Sequence, residues 1–477
     1  MTLPTFTART YMFILSILFL SCKSNSSDTE SQSNKIHTDK IDSLLVESYD
    51  KDQFNGNVLV VRNDTVLYQK SFGYLSEKRK VGLDDNSIFN IGSIAKQFNG
   101  VAILMLQERG LLNINDPLSK FELDLPDWSN KISIKHLLHY TSGLTRLDPL
   151  TPSNDKEAWE ILRKSDSLLF EPQTRFLYDN ANVFLQRRII EKVSGLSYED
   201  FIIENVVKPL NMEYSVHDPG MTHPNRTSCY GSDKTPCPEL EFISGWLWVT
   251  TNDFYKWVKA LNENTLISQE SYNEILGNPY FKNENTYPYT YKATSPLGEY
   301  FEESEVQRHN GISYKFESIL LNDLKNNMTI IVLSNYRGKV WSLGHSIHNI
   351  LLDKPYKSIY EAIREMSIQN VDLGIKTYKE LKEKHQDVYQ FDNPGELNKL
   401  GYELLRMDKK EEAIKMFVLA TSEFPDNANL FDSLAEGYFS NEQYDSSLQY
   451  YKKSLELNPE NTNAQKMIEK INSITKK

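Results

Sequence analysis

Eight positions near the C-terminus recur after 34 residues and keep their character, large for large and small for small. The first set is Leu397, Leu400, Gly401, Leu404, Ala413, Phe417, Ala420 and Pro425, and the second is Phe431, Leu434, Ala435, Tyr438, Ser447, Tyr451, Ser454 and Pro459. Small residues where helices cross and a proline at the end of each unit predict helix pairs, because each pair leaves an apolar face that the next pair covers. Eight matches at one period make a coincidence of unrelated amphipathic helices a poor explanation.

This pattern resembles the tetratricopeptide repeat, whose period is 34 residues. The resemblance implies an all-α array over residues 393–477, with two repeats and a charged capping helix from Asn461 to Lys477. Residues 356–392, which include the helical sequence from Tyr360 to His385, are expected to form a helical connector. Such an array offers a concave surface to a protein partner, or it simply packs on the rest of the chain.

The N-terminus carries the features of an export signal. Arg9 precedes an apolar run from Tyr11 to Leu20, and a serine and Cys22 follow, an order that resembles a bacterial lipoprotein signal peptide over residues 1–22. The residues just before the serine are bulkier than usual, so an ordinary cleaved signal is the alternative to lipidation of Cys22. The run is too short to span a bilayer. We expect an exported bacterial protein, periplasmic or at the cell surface, with a lipid anchor as its only membrane attachment.

Composition restricts the partners. The chain has 53 Lys and Arg against 65 Asp and Glu, a formal net charge of −12. Nucleic-acid binding needs a basic surface, so no nucleic-acid partner is expected. Residues 23–35 are mostly polar and are predicted to be a flexible tether.

Strand-like segments lie at both ends of the long block at residues 36–355. Val58 to Val61 and Thr65 to Tyr68 flank an Asn-Asp turn, and Tyr314 to Leu321 and Met328 to Leu333 flank a second polar turn. The sequence between these two pairs is mainly helical with long loops. Strands at both ends favour one antiparallel sheet flanked by helices with an inserted helical region, an α+β fold.

Two cysteines lie in a short Pro-containing loop. Export would place Cys229 and Cys237 in an oxidising compartment, where a disulfide can persist, and two unpaired thiols are the alternative. Neither has His or acidic neighbours at zinc-ligand spacing, so no metal site is expected. His345 and His348 also lack a third ligand at a set spacing and are better explained as polar residues on a C-terminal helix.

The first chemical motif is Ser93-Ile94-Ala95-Lys96. Ser-x-x-Lys occurs elsewhere in the chain, but only Ser93 follows a glycine and opens a long apolar helix, predicted from Ser93 to Arg109. Spacing i, i+3 places the Lys96 amine beside the Ser93 hydroxyl. A buried lysine can lose its proton at neutral pH and activate a serine, and a helix N-terminus offers free N–H groups to an oxyanion.

Two further motifs are weak when taken alone. Tyr178-Asp179-Asn180 supplies a phenol that can pass a proton to or from a lysine, and an amide that can hold a substrate carbonyl. His309-Asn310-Gly311 is placed in a turn just before the predicted strand at Tyr314. Its glycine would let substrate lie along a strand edge, and the N–H of Ile312 could donate to an oxyanion.

Together the three motifs, in this order, resemble the serine hydrolases related to class C β-lactamases and D,D-carboxypeptidases. The surrounding sequence matches over Phe89 to Phe98, Leu137 to Leu144 and Gly245 to Trp257. The resemblance implies a β-lactamase/transpeptidase-like fold whose active site lies between the sheet and the inserted helical region. It implies that Ser93 becomes acylated, that Lys96 and Tyr178 transfer protons, and that no cofactor is needed. The resemblance also implies that substrate is bound by Asn180, His309, Gly311 and Ile312.

His309 is the departure that bears on substrate. A lysine at this position in the family can hold a substrate carboxylate, whereas histidine, with an ordinary pKa near 6.5, is mostly neutral at pH 7. Some peptidases and esterases of the family also carry histidine there. An esterase or D-amino-acid peptidase acting on a small molecule or peptide is therefore preferred over a β-lactamase or D,D-carboxypeptidase proper. A non-catalytic scaffold with a degenerate hydrolase domain is the third hypothesis.

Overall fold

The computed structural model describes residues 31–147, 154–215, 223–237, 247–276 and 295–475. The signal peptide expected at residues 1–22, with Cys22, lies outside these residues. The chain divides into two compact units, Met1–His348 and Asn349–Lys477. In the parts of the chain described here, none of the helices combines the length and the apolar character needed to cross a bilayer.

The strands of the first unit form one antiparallel sheet and one short ladder. They are β1 (Gly56–Arg62), β2 (Thr65–Phe72), β3 (Phe89–Asn90), β4 (Trp248–Val249), β5 (Glu299–Phe301), β6 (Val306–Ser313), β7 (Phe316–Asp323) and β8 (Met328–Ser334). The sheet has the order β2-β1-β8-β7-β6-β5, and β3 pairs separately with β4. Because β1 lies beside β8, the two ends of the block share one sheet, which confirms the predicted α+β layout.

Local sequence explains the first hairpin. Asn63 and Asp64 join β1 to β2 with φ angles of 51° and 58°. Two successive residues with positive φ are typical of a type I′ turn, whose twist matches that of the flanking strands, and Asn and Asp tolerate this region well. Val58 of β1 pairs with Lys70 of β2 on one side and with Val332 of β8 on the other, so β1 lies between β2 and β8.

Helices cover the sheet and fill the long insertion. They are α1 (residues 31–50), α2 (Lys96–Glu108), α3 (Ile134–Leu138), α4 (Asp155–Arg163), α5 (Asn180–Ser194), α6 (Tyr198–Ile202), α7 (Thr251–Asn262), α8 (Gln269–Leu276) and α9 (Val340–Leu351). The predicted tether is wrong for residues 31–35, which are helical. The buried Ile41 and Leu45 on one face of α1 stabilise the helix, and the polar residues before them extend it by a turn.

Helix α2 is the centre of the first unit. Every residue from Lys96 to Leu106 is buried, as expected for a helix that is packed on all sides. The ring of Phe98 stacks on Trp257 of α7 at 3.7 Å between centroids, and the Trp257 indole donates to Gln97. The helix that carries Lys96 is thus fixed by the core rather than by the surface.

The second unit consists of helices joined by short turns. They are α10 (Ile359–Gln369), α11 (Val371–Lys384), α12 (Pro394–Arg406), α13 (Lys410–Glu423), α14 (Ala428–Ser440), α15 (Tyr444–Leu457) and α16 (Thr462–Thr475), with a short parallel ladder of β9 (Lys357–Ser358) and β10 (Tyr389–Gln390). A Cβ at Gly401 of α12 would lie 2.3 Å from the Phe417 ring of α13, which explains the small residue at this position of the period. Ser447 of α15 donates to Ala435 O of α14 at 2.8 Å.

Helices α10 and α11 form a further pair of the same kind. Ser367 and Gly374 meet so closely that a Cβ at Gly374 would lie 1.9 Å from Ser367 Oγ. Ile363 and Tyr378 of this pair join Leu397 and Phe417 in one apolar core. The segment predicted to be a connector is therefore a helix pair of the array itself.

Candidate active site

Ser93 lies on a 3-10 turn, Gly92–Ala95, which precedes α2. The prediction that the α-helix itself begins at Ser93 is wrong, because Gly92 has a φ of +54° and the regular helix begins only at Lys96. Side chains fix this turn from both sides. Asn90 Oδ1 accepts from the Gly92 N–H at 2.8 Å, and the Ser318 hydroxyl of β7 donates to Ile91 O at 2.9 Å.

Lys96 lies directly behind the serine. Its Nζ is 3.2 Å from Ser93 Oγ, within hydrogen-bonding distance, and the residue is only 2% exposed. The same nitrogen lies 5.1 Å from the centre of the Tyr178 ring. The Ser93 hydroxyl, the Lys96 amine and the Tyr178 ring therefore lie close together, as proton transfer between them would require.

Two loops hold Tyr178. The Leu177 N–H donates to Tyr140 O at 2.9 Å, and the rings of Tyr140 and Tyr178 pack at 4.7 Å between centroids. Ser142 donates to Asn182 Oδ1 at 2.6 Å and so joins the Tyr140 loop to α5. Tyr178 is 39% exposed, which leaves part of its side chain open to a substrate.

Asp179 and Asn180 begin α5. The Asp179 carboxylate caps the helix by accepting from Ala181 N–H at 2.8 Å, and it also accepts from Leu147 N–H at 2.9 Å. Burial raises the pKa of Asp179, while these two hydrogen bonds and the Arg146 guanidinium oppose the shift. Asn180 follows as the first helical residue and is 9% exposed. Sequence analysis did not assign a role to Asp179, although an acidic residue just before a helix is typical of an N-cap.

His309 lies within strand β6 rather than in the predicted turn. Its register partner is Leu320 of β7, so the motif is part of the sheet. Burial, and then the Lys96 ammonium group, lower the pKa of His309 to about 3. The imidazole is 8% exposed, and its Nδ1 lies 3.0 Å from Asn310 O. Near pH 7 this side chain is neutral.

Gly311 and Ile312 contact the serine turn through their backbones. A Cβ at Gly311 would lie 2.0 Å from Ile91 O, and a Cβ at Gly92 would lie 2.7 Å from N, C and O of Ile312. Neither glycine leaves room for a side chain. The N-terminal end of the serine turn and the β6 backbone are therefore in direct contact, and N–H groups at such a helix end lack intrahelical acceptors.

The structure thus brings Ser93, Lys96, Tyr178, His309 and the Gly311–Ile312 backbone together. Sequence analysis used Gly92 only to single out Ser93, and it assigned no role to Gly92 or Asn90, which fix the serine turn. The histidines of α9 have other partners: His345 contacts Arg308, and His348 pairs with Asp323 at 2.8 Å. Within the described residues, no group of three or more His, Cys, Asp or Glu could hold a metal ion.

The structure joins Cys229 and Cys237 in a disulfide, with their Cα atoms 5.4 Å apart. The Cys237 N–H also donates to Cys229 O at 2.8 Å. Cys229 packs with Ile88, Trp248 and Phe316 in a small apolar cluster. The loop is thereby tied to the end of the sheet near β6.

Fold and site together define a serine hydrolase with a serine and lysine one turn apart. Residues 41–352 match the family described as Beta-lactamase, and the chain belongs to that family. Residues 430–461 match the tetratricopeptide repeat, which confirms the repeat seen in the sequence.

Known proteins agree with this assignment. The chain is 28% identical over 320 residues to penicillin-binding protein 4* of Bacillus subtilis (strain 168), covering 60% of this chain and 69% of the relative. Other bacterial relatives are also 28% identical to this chain, which covers 62% of their length, less than two thirds.

Solved structures show the same fold. The octameric penicillin-binding protein homologue from Pyrococcus abyssi aligns with a TM-score of 0.59 at 24% identity, over 66% of this chain and 77% of that chain. A class C β-lactamase aligns with a TM-score of 0.55 at 18% identity, over 66% of this chain and 95% of the other.

Proposed function

We propose that this protein hydrolyses an ester or amide through a covalent acyl-enzyme on Ser93. The observation that carries the proposal is the position of Lys96 Nζ, 3.2 Å from Ser93 Oγ and almost completely buried. An amine within hydrogen-bonding distance of a hydroxyl is placed to act as the general base that activates a serine nucleophile.

The first half-reaction forms the acyl-enzyme. The Lys96 amine, with Tyr178 beside it, takes the Ser93 proton while Oγ bonds to the substrate carbonyl carbon. The negative charge that develops on the carbonyl oxygen is stabilised by the N–H groups of Ser93 and Ile312, each typically contributing about 3 to 4 kcal/mol. Tyr178 then gives its phenol proton to the leaving oxygen or nitrogen as the bond to the carbonyl carbon breaks, and Lys96 passes the Ser93 proton to Tyr178.

The second half-reaction releases the product. Water gives a proton to the same Lys96 and Tyr178 pair and attacks the acyl carbon. The bond to Ser93 Oγ breaks, the proton returns to Oγ, and the carboxylic acid leaves. Asn180 and the edge of β6 from His309 to Ile312 would hold the substrate during both steps. In the described residues β5 pairs with β6 only at Val306–Arg308, which leaves this edge available to a substrate.

The substrate is an ester or a D-amino-acid peptide rather than a β-lactam. The neutral His309 supplies no fixed cation near pH 7, whereas β-lactam and D-alanine carboxylates favour one. Nitrocefin hydrolysis that is negligible beside ester cleavage would agree with this preference. A nitrocefin rate equal to the ester rate would instead identify a β-lactamase.

The location and partners are proposals as well. We propose export to the cell envelope with lipidation of Cys22, in agreement with penicillin-binding relatives of bacteria. The repeat unit would bind a protein partner. Palmitate labelling that persists in Cys22→Ser would contradict the lipid anchor.

Turnover of p-nitrophenyl acetate tests the hydrolase directly. Ser93→Ala should abolish turnover, and Lys96→Ala should lower kcat by about 10²- to 10⁴-fold, with both proteins folded. Lys51→Ala is the matched control, because Lys51 also follows a serine by three residues but is exposed and pairs with Glu47 at 2.7 Å. Wild-type rates in Ser93→Ala would leave a non-catalytic scaffold as the better account.

A further inference from the structure

Tyr140 lies at the end of helix α3 in a backbone conformation that is unusual for a large residue. Two hydrogen bonds close this helix end. The Tyr140 N–H donates to Leu137 O at 3.3 Å, and the Thr141 N–H donates to His136 O at 2.9 Å. The residue at this position of such a helix end is usually glycine, because its backbone must be left-handed. Tyr140 adopts that conformation with a φ of +57°.

The side chain of Tyr140 is what distinguishes this position. A glycine would end α3 without the strain that a left-handed backbone imposes on a bulky residue. Strain of this kind persists where the surrounding structure requires it, and it is concentrated at functional sites. The side chain is 2% exposed, and its ring contacts the rings of Tyr178, at 4.7 Å between centroids, and Phe176, edge to face at 6.1 Å. Tyr140 therefore contacts both aromatic residues of the segment that carries the proposed proton donor.

Backbone hydrogen bonds tie the two segments together as well. The Leu177 N–H donates to Tyr140 O at 2.9 Å, and the Gln173 N–H donates to Thr141 O at 2.8 Å. These bonds fix the distance between the segments, and the left-handed backbone at Tyr140 fixes the direction in which its ring leaves the chain. The ring of Tyr178 is thus packed against a ring whose own position is set by the backbone.

Tyr140 is not suited to transfer a proton itself. Burial, and then the negative charge of an ionised Tyr178, raise the pKa of Tyr140 well above its usual value. The Tyr140 phenol therefore stays protonated while Tyr178 exchanges its proton. Lys96 Nζ lies 5.1 Å from the centre of the Tyr178 ring, so the orientation of that ring decides where the phenol oxygen lies relative to the amine. A proton donor works only within hydrogen-bond reach of its acceptor.

We propose that Tyr140 is a positioning residue, whose ring holds the Tyr178 phenol within reach of Lys96 and of the leaving group. The inference rests on the proposed acyl transfer at Ser93 and adds the residue that orients its proton donor. Loss of the ring should therefore affect chiefly the step in which Tyr178 protonates the leaving group.

Two acetate esters with different leaving groups test this role, because kcat/KM reports the steps up to the acyl-enzyme. 4-Nitrophenyl acetate releases an anion that needs little help from a proton donor, whereas phenyl acetate releases a more basic oxygen. Tyr140→Leu should lower kcat/KM by about tenfold on phenyl acetate and by less than about threefold on 4-nitrophenyl acetate. Tyr140→Phe keeps the ring and should retain wild-type values on both esters. In a Tyr178→Phe background, Tyr140→Leu should lower neither value further.

Tyr230→Leu is the matched control. Tyr230 is 1% exposed, and its ring also packs on a second tyrosine, Tyr336, at 5.7 Å between centroids. This variant should lower Tm, as Tyr140→Leu does, but keep the wild-type ratio of kcat/KM between the two esters. Phe176→Leu is a milder variant of the proposed contact, since Phe176 is partly exposed, and it provides the test if Tyr140→Leu does not fold. It should also lower kcat/KM more on phenyl acetate than on 4-nitrophenyl acetate.

Three outcomes would overturn the proposal. The first is an equal loss on both esters in Tyr140→Leu, or in Phe176→Leu where that variant replaces it, which would mean that the ring serves packing only. The second is the same loss from Tyr140→Leu in the Tyr178→Phe background as in wild type. The third is a loss in Tyr140→Phe as large as that in Tyr140→Leu. Failure of the acyl-transfer mechanism is a separate result, since Ser93→Ala would then keep its rate on both esters.

Discussion

Gly92 lies so close to Ile312 that a Cβ on Gly92 would be 2.7 Å from three backbone atoms of that residue. This contact sets the distance between the serine turn and strand β6, and with it the distance between the two proposed oxyanion donors. The position also requires a φ of +54°, which glycine adopts without cost.

Gly92→Ala is therefore expected to displace the serine turn. We expect kcat to fall by about 10²-fold, because a displacement on the order of 1 Å costs that much. Gly195→Ala is the matched control, since Gly195 also has a positive φ, of +73°, but has nothing within 4 Å of an added Cβ. The control should lose about 1 to 2 kcal/mol of stability and keep its kcat. Equal kcat values for the two variants would show that the contact does not position the serine.

Tyr178→Phe separates proton transfer from packing. The ring can still pack on Tyr140 and lie beside Lys96, so Tm should change little, whereas kcat should fall by about 10²-fold because the phenol is lost. Tyr255→Phe, which removes a hydroxyl bound to Asp64 on the surface, serves as the control and should keep wild-type kinetics. A Tyr178→Phe enzyme with wild-type kcat would remove this tyrosine from the mechanism.

Asp179 is expected to position Tyr178 and Asn180. Asp179→Ala loses a helix cap and the hydrogen bond that ties Leu147 to α5, so both stability and kcat should fall. Ser197→Ala loses the equivalent cap of α6, which accepts from Asp200 N–H at 3.0 Å. Both variants should lose about 1 kcal/mol, but only Asp179→Ala should lower kcat. Rescue of kcat in Asp179→Asn, which keeps an acceptor oxygen, would support a positioning role. A decrease in kcat in Ser197→Ala as large as that in Asp179→Ala would argue against it.

The neutral His309 predicts how stability depends on pH. Its pKa is about 3 in the folded protein against an ordinary value of 6.5, so the unfolded state binds more protons between these values. The free energy of unfolding should therefore rise with pH through this window, by up to about 1.4 kcal/mol per pH unit from this residue. The buried His139 and His345, whose pKa values are lowered to about 4, add to the same slope.

His309→Gln should remove the His309 share of that slope. The slope of the unfolding free energy against pH can be measured for the first unit alone by tryptophan fluorescence during denaturation, because all six tryptophans precede residue 349. An unchanged slope between pH 6.5 and 4 would mean that this imidazole is protonated in the folded protein at the lower pH.

The parts of the site that depend on short-range geometry could be predicted from sequence. Ser93 and Lys96 lie one turn apart, so their contact follows from local helical geometry. The shared sheet was predictable because β1, β2, β7 and β8 carry clear apolar and turn patterns at both ends of one block. The repeat followed from its fixed period.

Other features depend on contacts distant in sequence. Strand β6 has polar residues on both faces, Gln307 to Asn310, so it shows no alternating pattern, and it is a strand because β7 pairs with it. Its histidine is buried in the folded chain although it is polar. Three buried polar atoms, Asn90 Nδ2, Trp248 Nε1 and Ser313 Oγ, have no hydrogen-bond partner among the described residues, and this is visible only in the folded chain.

The sequence period did not reveal the helix pair of α10 and α11, because the turn between these two helices is shorter than the turn between α12 and α13. Ile363 and Ser367 precede Leu397 and Gly401 by the full 34 residues, but Gly374 and Tyr378 precede Ala413 and Phe417 by 39. No single period fits both helices.

Labelling of Ser93 tests the central claim most directly. Wild-type protein treated with a fluorophosphonate and digested should carry the phosphonyl group on the peptide that contains Ser93, and Ser93→Ala should carry none. Lys96→Ala should label far more slowly, whereas Lys51→Ala should label at the wild-type rate. A phosphonyl group on a different residue, or equal labelling rates in Lys96→Ala and wild type, would contradict a serine that is activated by the lysine 3.2 Å away.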